Sequence, residues 1–354
     1  MANALLGIIN LVIIACSFVI FPKIDVSIAK KEVNGGTKAI YITAYSASDS
    51  ARFNELVNLV DRTELNAVVI DIKDYTGRVF IRTPLTESKK IGSFKPMVKD
   101  FDKLIKKLKE KNIYVIARIA VFQDPYLAEK LPYLAAKDRS GNIWHDFKGL
   151  SWVDTSNREV WEYNLEIAKA AADMGFDEVN FDYVRFPSDG NIRQIVFGFE
   201  SQGITKNDVM KSFFEFIHNG LQYKTVKTSV DLFGMTLWRD DGLGIGQRLQ
   251  NADGKFDYIY PMVYPSHYPD NFEGYSNPAE YPYEIVYNSL DKGKRFMSGG
   301  MTKIMPWVQD FDLGAEYDAR KVRLQIQAAY DAGSDGWLLW NASNRYTAEA
   351  LQPQ

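Results

Sequence analysis

Three aspartates stand where apolar residues would be expected. Asp182 falls in the middle of EVNFDYVRFPSDG (178–190), a run of β-type residues that stops on Arg185, Phe186 and Pro187. Asp71, followed by Lys73 and Asp74, closes the apolar run AVVIDIKD (67–74), and Asp231 interrupts KTSVDLFGMT (227–236). An ionised carboxylate taken out of water loses its hydration unless a partner or a function compensates. Carboxyl groups held together suit glycoside hydrolysis, in which one protonates the leaving oxygen and another attacks the sugar or activates water. Their surroundings must then drive their pKa values apart. Asp182 and Asp231 are the expected catalytic pair, with Asp71 either replacing Asp231 or holding a sugar hydroxyl. The alternative for Asp182 is one half of a buried ion pair with Arg185 or Lys73.

Around these aspartates the polar and aromatic residues gather late in strand-like runs. Lys73, Arg185, Tyr260, Tyr264, Trp307, Gln309, Trp340 and Asn341 are read as substrate-binding residues on that ground. Trp152, with Trp144, lies in the long connection 123–157, which is read as a substrate wall; the alternative is that both rings merely anchor the loop. Aromatic residues make up 14% of the chain, including 20 Tyr and 7 Trp, and sugar rings present C–H faces that stack on such platforms.

The elements that must position these residues alternate strand with helix from about residue 37. Strand-like runs occur at 39–46, 67–74, 114–122, 178–184, 227–236, 256–266, 303–311 and 336–343, with helical runs such as KDFDKLIKKLKEK (99–111) between them. Ser156 and Glu159 read as a capping box opening one helix, and Gly175 as its stop. Eight such units predict a (β/α)8 barrel, in which side chains at the C-terminal strand ends line the active site. A doubly wound sheet is the rival, but no Gly-rich phosphate loop follows any strand. Strand alternation predicts that Asn180, Asp182 and Val184 face the barrel axis and that Phe181 and Tyr183 face the helices. By the same rule Asp71 and Lys73 point together, as do Ser229, Asp231 and Phe233, and Tyr260, Met262 and Tyr264.

Composition removes several function classes. Net charge is −3 with no long basic run, so the footprint of a nucleic-acid binder is missing. Three scattered histidines and no G-x-S-x-G elbow argue against a zinc site and a serine triad, and no cofactor is expected. Residues 4–21 carry no charge and are long enough to cross a bilayer. They predict an export signal or uncleaved anchor over 1–22, a linker over 23–36 and the barrel over 37–354, which places the protein in the cell envelope, membrane-anchored or secreted. The one cysteine, Cys16, lies in that segment, so the barrel has no disulfide.

FDEVNFDYVRFPSDG, preceded by KGLSWVDTSNREVWEYNLEIAKAAADMG, resembles the bacterial "Putative glycosyl hydrolase domain" family, a group of (β/α)8 barrels. VVIDIKDYTGRV, SVDLFGMT, YIYPMVYPSHY, MPWVQDF and GWLLWNAS extend the resemblance from about residue 37 to 345. It implies a glycosidase-type site with Asp182, in FDYVRFP, as the foremost catalytic residue. DEVNFDYV is also faintly similar to the DxxDxDxE run of chitinase-type barrels, but Val184 stands where that run has its acid. No Glu ends the fourth or seventh strand, unlike the common two-Glu retaining barrels. The expected activity is hydrolysis of a polysaccharide, a cell-wall or capsular glycan. The alternative is a barrel without catalysis that binds glycan at the cell surface.

Overall fold

The computed structural model describes residues 30, 33, 35–88, 90–300 and 302–354. The expected segment 1–22 and Cys16 lie outside the described residues. Among the described residues no helix is long and apolar enough to cross a membrane.

Eight strand positions form one closed parallel barrel: β1 Lys38–Ile42, β2 Ala67–Lys73, β3 Tyr114–Ala120, β4 Glu178–Asp182, β5 Lys227–Phe233, β6 Tyr258–Met262, β7 and β8 Trp337–Trp340. The expected continuous strand over 303–311 is instead two pieces of β7, Lys303–Ile304 and Trp307–Gln309. Pro306 stands at the break, where it has no N–H to give the ladder. The first piece pairs with β6 and the second with β8, while Trp307 opposite Met262 completes the ring. β1 pairs with both β8 and β2, so no edge is left open.

Among the described residues one main helix fills each connection between successive strands, besides shorter helical turns: α1 Ser50–Arg62, α2 Phe101–Glu110, α3 Arg158–Asp173, α4 Lys206–Leu221, the single turn α5 Leu249–Ala252, α6 Pro282–Gly293 and α7 Ala319–Asp331. Their starts follow local chemistry. Asp49, Asp100 and Asn157 each turn a side-chain oxygen onto the first free N–H groups of α1, α2 and α3. The cap of α3 is therefore Asn157; the expected Ser156 instead donates through both N and Oγ to Asp154.

Two packed layers result. Outward strand residues such as Val68, Ile70, Ile119, Phe181 and Leu232 meet the helices in one large core. The barrel interior is a second, aromatic core that includes Tyr41, Tyr114, Tyr258, Tyr260 and Trp307.

The long connection after β3 folds over the barrel rim. Residues 137–138 pair antiparallel with 195–196 of the connection after β4, so the two loops brace each other. Trp144 is 3% exposed and Trp152 1%, and the indole N–H groups donate to Asn191 O at 3.1 Å and Asp146 Oδ2 at 3.2 Å. Gly190 has φ +94°, and a Cβ there would stand 2.7 Å from the Trp144 ring. Only glycine lets the second loop press this closely. The two tryptophans thus anchor the loop instead of forming an open wall.

Candidate active site

Arg118, late in β3, organises the site. The strand register sets Asp71 of β2 opposite Arg118, and Arg118 opposite Asn180 of β4. All three side chains therefore point into the barrel at one level. Arg118 Nη1 donates to Asp71 Oδ1 at 2.6 Å, and its Nε donates to Asp182 Oδ2 at 3.1 Å, with Nη2 reaching the same oxygen. The Tyr41 hydroxyl donates to the other Asp71 oxygen at 2.5 Å. Tyr41 and Trp340 are stacked, ring centroids 4.2 Å apart, and the guanidinium lies 5.3 and 5.2 Å from their rings. Burial raises the Asp71 carboxyl to about 6 even though Arg118 and Tyr41 pull it down. For Arg118 burial opposes the charge, but Asp182 and Asp71 outweigh it and hold the guanidinium firmly protonated.

Asp182 closes β4, and the chain turns sharply after it. Tyr183 has φ +53°, a left-handed conformation that is uncommon outside glycine, and its N–H donates to Asp182 Oδ1 at 2.6 Å. The turn breaks strand alternation. Tyr183 therefore lines the pocket instead of facing the helices as expected.

Asp231 is held from the neighbouring strand. Asn180 Nδ2 and Trp307 Nε1 donate to its Oδ1 at 2.8 and 3.0 Å, while Oδ2 accepts nothing among the described residues. Burial first, then the Asp182 charge, push the Asp231 carboxyl well above the usual carboxylate range. The same pocket thus holds an Asp182 charge paired with Arg118 and an Asp231 that favours its proton. Together with Arg185, Phe233, Met262, Tyr264, Trp307 and Trp340 they line a cavity of about 140 Å³ at the C-terminal ends of the strands. A second chamber of about 300 Å³ adjoins it, sharing Phe233, Met262 and Tyr264 and adding Met235, His267 and Tyr268.

With that geometry in place, the comparison with known families is decisive for ancestry: the model described as "Putative glycosyl hydrolase domain" matches residues 39–346. The chain belongs to this family. Among solved structures, a hypothetical protein from Ruminiclostridium thermocellum ATCC 27405 is 34% identical, with 58% of this chain and 98% of that chain covered and a TM-score of 0.50. The glycoside hydrolase domain of PgaB (BpsB) from Bordetella bronchiseptica is 13% identical over 89% of this chain and 97% of its own, with a TM-score of 0.63. TtGalA, an α-galactosidase from Thermus thermophilus, is 13% identical over 90% of this chain and 61% of its own, with a TM-score of 0.54. At that identity the likeness is one of fold. None of the curated proteins matches the chain.

Within this glycosyl hydrolase-type barrel the residues singled out from sequence divide. Asp182, Asp231, Arg185, Tyr264, Trp307 and Trp340 meet at the pocket, and Asp71 lies behind Arg118. Lys73 does not join them. A register shift between Asp71 and Lys73 turns it to the helix side, where its Nζ pairs with Asp124 at 2.8 Å and bonds Asn164 and the Ala120 carbonyl. Tyr260 is buried below the pocket, its hydroxyl donating to Glu178 at 2.7 Å. Gln309 is fully buried and joins Ser266 to the Phe311 carbonyl. Asn341 donates to Asp310 O, just after β7, and accepts from Ser343 N in its own turn. Trp152 is buried, but its ring lies 4.8 Å from the Arg185 guanidinium and so supports the pocket from behind.

Arg118, Asn180, Tyr41 and Tyr183 belong to the site but are not among the residues singled out from the sequence. Arg118 interrupts the apolar YVIARIAVF just as Asp182 interrupts its own run, so the same signal was available. Asn180, the donor to Asp231, shares the inward face of Asp182. Among the described residues no group of three or more His, Cys, Asp or Glu side chains is arranged to hold a metal.

Proposed function

We propose that the protein hydrolyses a glycosidic bond in a polysaccharide, with a cell-wall or capsular glycan as substrate and the cell envelope as its place of action. The observation that carries this reading is the contrast between Asp182 and Asp231 inside one small pocket. Asp231, whose carboxyl is pushed up by burial and by the Asp182 charge and whose Oδ2 accepts no hydrogen bond among the described residues, donates a proton to the departing glycosidic oxygen. Asp182, charged and oriented by Arg118 and the Tyr183 N–H, attacks the anomeric carbon or activates water. Arg118 is a positioning residue, because the groups that it hydrogen-bonds are the Asp71 and Asp182 carboxylates of the site. The family description and the position of the pocket at the C-terminal strand ends support the same reading. The adjoining chamber lies beside β5 and β6, on the Asp231 side, where a leaving group awaiting that proton would sit.

Hydrolysis of a glycan panel by the full chain and by two variants tests the proposal. Asp231→Asn should lower kcat by about 10²–10⁴-fold, the usual range for a lost general acid. A 2,4-dinitrophenyl glycoside, whose leaving group needs no proton, should recover most of that loss for Asp231→Asn and none of it for Asp182→Asn. Retained glycan binding without turnover by the unmodified chain would instead favour the binding-only barrel.

A further inference from the structure

Arg185 is the half-buried cation at the pocket that the molecule itself does not neutralise. The buried cations Arg118 and Lys73 each hold a carboxylate within 3 Å. Arg185 has none within ion-pair distance among the described residues. Its Nη1 donates to Ser188 Oγ at 2.9 Å and to the Phe186 carbonyl at 3.3 Å, while Nε and Nη2 find no acceptor there. Three rings surround the guanidinium, Trp152 at 4.8 Å, Phe233 at 5.0 Å and Tyr183 at 5.5 Å. Such a cage holds the planar group in place and withholds water from it, but supplies no counter-charge.

Of the acids whose charges act on Arg185, Asp189 is exposed to solvent and forms no ion pair with it, and the other two are already engaged. Asp182 is committed to Arg118 and the Tyr183 N–H. Asp146 accepts from the Lys148 and Leu150 N–H groups and from the Trp152 indole, and so fixes the ring beneath Arg185. Burial lowers the Arg185 pKa, which agrees with a charge lacking its partner. Without Arg185 the pocket would hold one cation, Arg118, against the Asp71 and Asp182 carboxylates that it bridges, with Asp231 keeping its proton. That arrangement would repel an anionic ligand; a second, uncommitted guanidinium reverses this at one wall.

We infer that the sugar seated beside Asp182 and Asp231 carries a carboxylate, making it a uronic acid, and that Arg185 receives this group through its open guanidinium edge. The inference rests on the glycosidase reading and names its substrate class. A guanidinium fork matches carboxylate and phosphate alike. The cavity of about 140 Å³ has the scale of one sugar ring. A uronate carboxylate takes the place of a hydroxymethyl group and adds almost no bulk, whereas a phosphate ester adds a tetrahedral group beyond it.

Calorimetric titration of the full chain in detergent with glucuronate, galacturonate, glucose, galactose and glucose 6-phosphate tests it. The matching uronate should bind at least about 10-fold more tightly than its neutral sugar. Arg185→Gln should remove most of that preference, and Arg185→Lys should keep part of it. Equal binding of uronates and neutral sugars by the unmodified chain would overturn the inference, as would tighter binding of glucose 6-phosphate alone or no uronate binding up to about 50 mM. These outcomes need no variant to fold. They are also separable from failure of the glycosidase reading: uronate preference without turnover of any glycan would refute hydrolysis alone, whereas turnover of neutral glycan without uronate preference would refute this inference alone.

Discussion

Asp182 was legible as an anomaly in its strand, but its partner was not. Neither Arg185 nor Lys73 neutralises it; Arg118 does, and Arg118 also holds Asp71. That sharing decides what mutation should do. Removing one half of a buried pair commonly costs roughly 3–5 kcal/mol, because the other charge is stranded. Asp182→Asn strands nothing, since Arg118 keeps Asp71, so its cost should fall clearly below that range. Arg118→Met leaves two buried carboxylates without their cation and should reach it. Urea denaturation at neutral pH compares the two, and an Asp182→Asn loss equal to that of Arg118→Met would contradict the shared pairing. Because the Asp182 charge is one cause of the raised Asp231 pKa, Asp182→Asn should also lower the Asp231 pKa, with burial keeping it above an ordinary aspartate. Carbon-13 detection of the Asp231 carboxyl would follow this, and an unchanged or higher value would count against coupling between the two acids.

At the scale of elements, periodicity carried most of the information. The apolar run of β2 and the alternation in β4 and β5 place Asp71, Asp182 and Asp231 on the barrel axis, as a period of two requires. Periodicity failed where the backbone leaves its regular path. The shift after Asp71 sends Lys73 outward, the left-handed Tyr183 enters the pocket, and Pro306 divides β7. No residue type announces the first two departures, since a lysine or tyrosine fits either face. The loop tryptophans failed differently, because composition cannot tell a platform from an anchor. Their burial reverses the expected phenotype. Trp144→Ala should lower stability by roughly 3–5 kcal/mol, as for other large aromatic truncations, and leave sugar affinity unchanged in the folded fraction. Trp152→Ala should cost a similar amount and, by removing the ring behind Arg185, weaken uronate binding as well. Thermal melting with calorimetric titration checks both; a Trp144→Ala protein that melts normally but binds sugar poorly would restore the substrate-wall reading.

For the whole molecule, direction and pH matter most. Lys30 pairs with Asp257 at 2.8 Å, directly before β6, so the described chain meets the barrel at the N-terminal ends of the strands, opposite the pocket. Residues 4–21 are proposed to tether the protein. The full chain should then fractionate with membranes or be exported, while residues 23–354 stay soluble in the cytosol; identical cytosolic distributions would refute the tether. The second consequence comes from the barrel floor. Glu178 opens β4 fully buried and accepts from Tyr260 at 2.7 Å and Tyr114 at 3.2 Å. Burial raises its pKa from 4.5 to about 7, although these hydrogen bonds and one from Ser229 pull it down. The native state therefore binds a proton that the unfolded chain has released over this interval, and stability must fall as pH rises. The benefit is complete below about pH 4.5 and is lost as pH climbs through about 7, a change on the order of 3 kcal/mol. Asp71, raised to about 6, adds a slope of the same sign, so the pH dependence should lessen in Glu178→Gln without vanishing. The glutamine keeps an acceptor for Tyr260 and carries no charge at any pH. Glu178→Gln should thus match the unmodified protein near pH 5 and exceed it in stability near pH 8. Urea denaturation at the two pH values measures this, and parallel losses in both proteins would show that Glu178 does not hold its proton in the folded barrel.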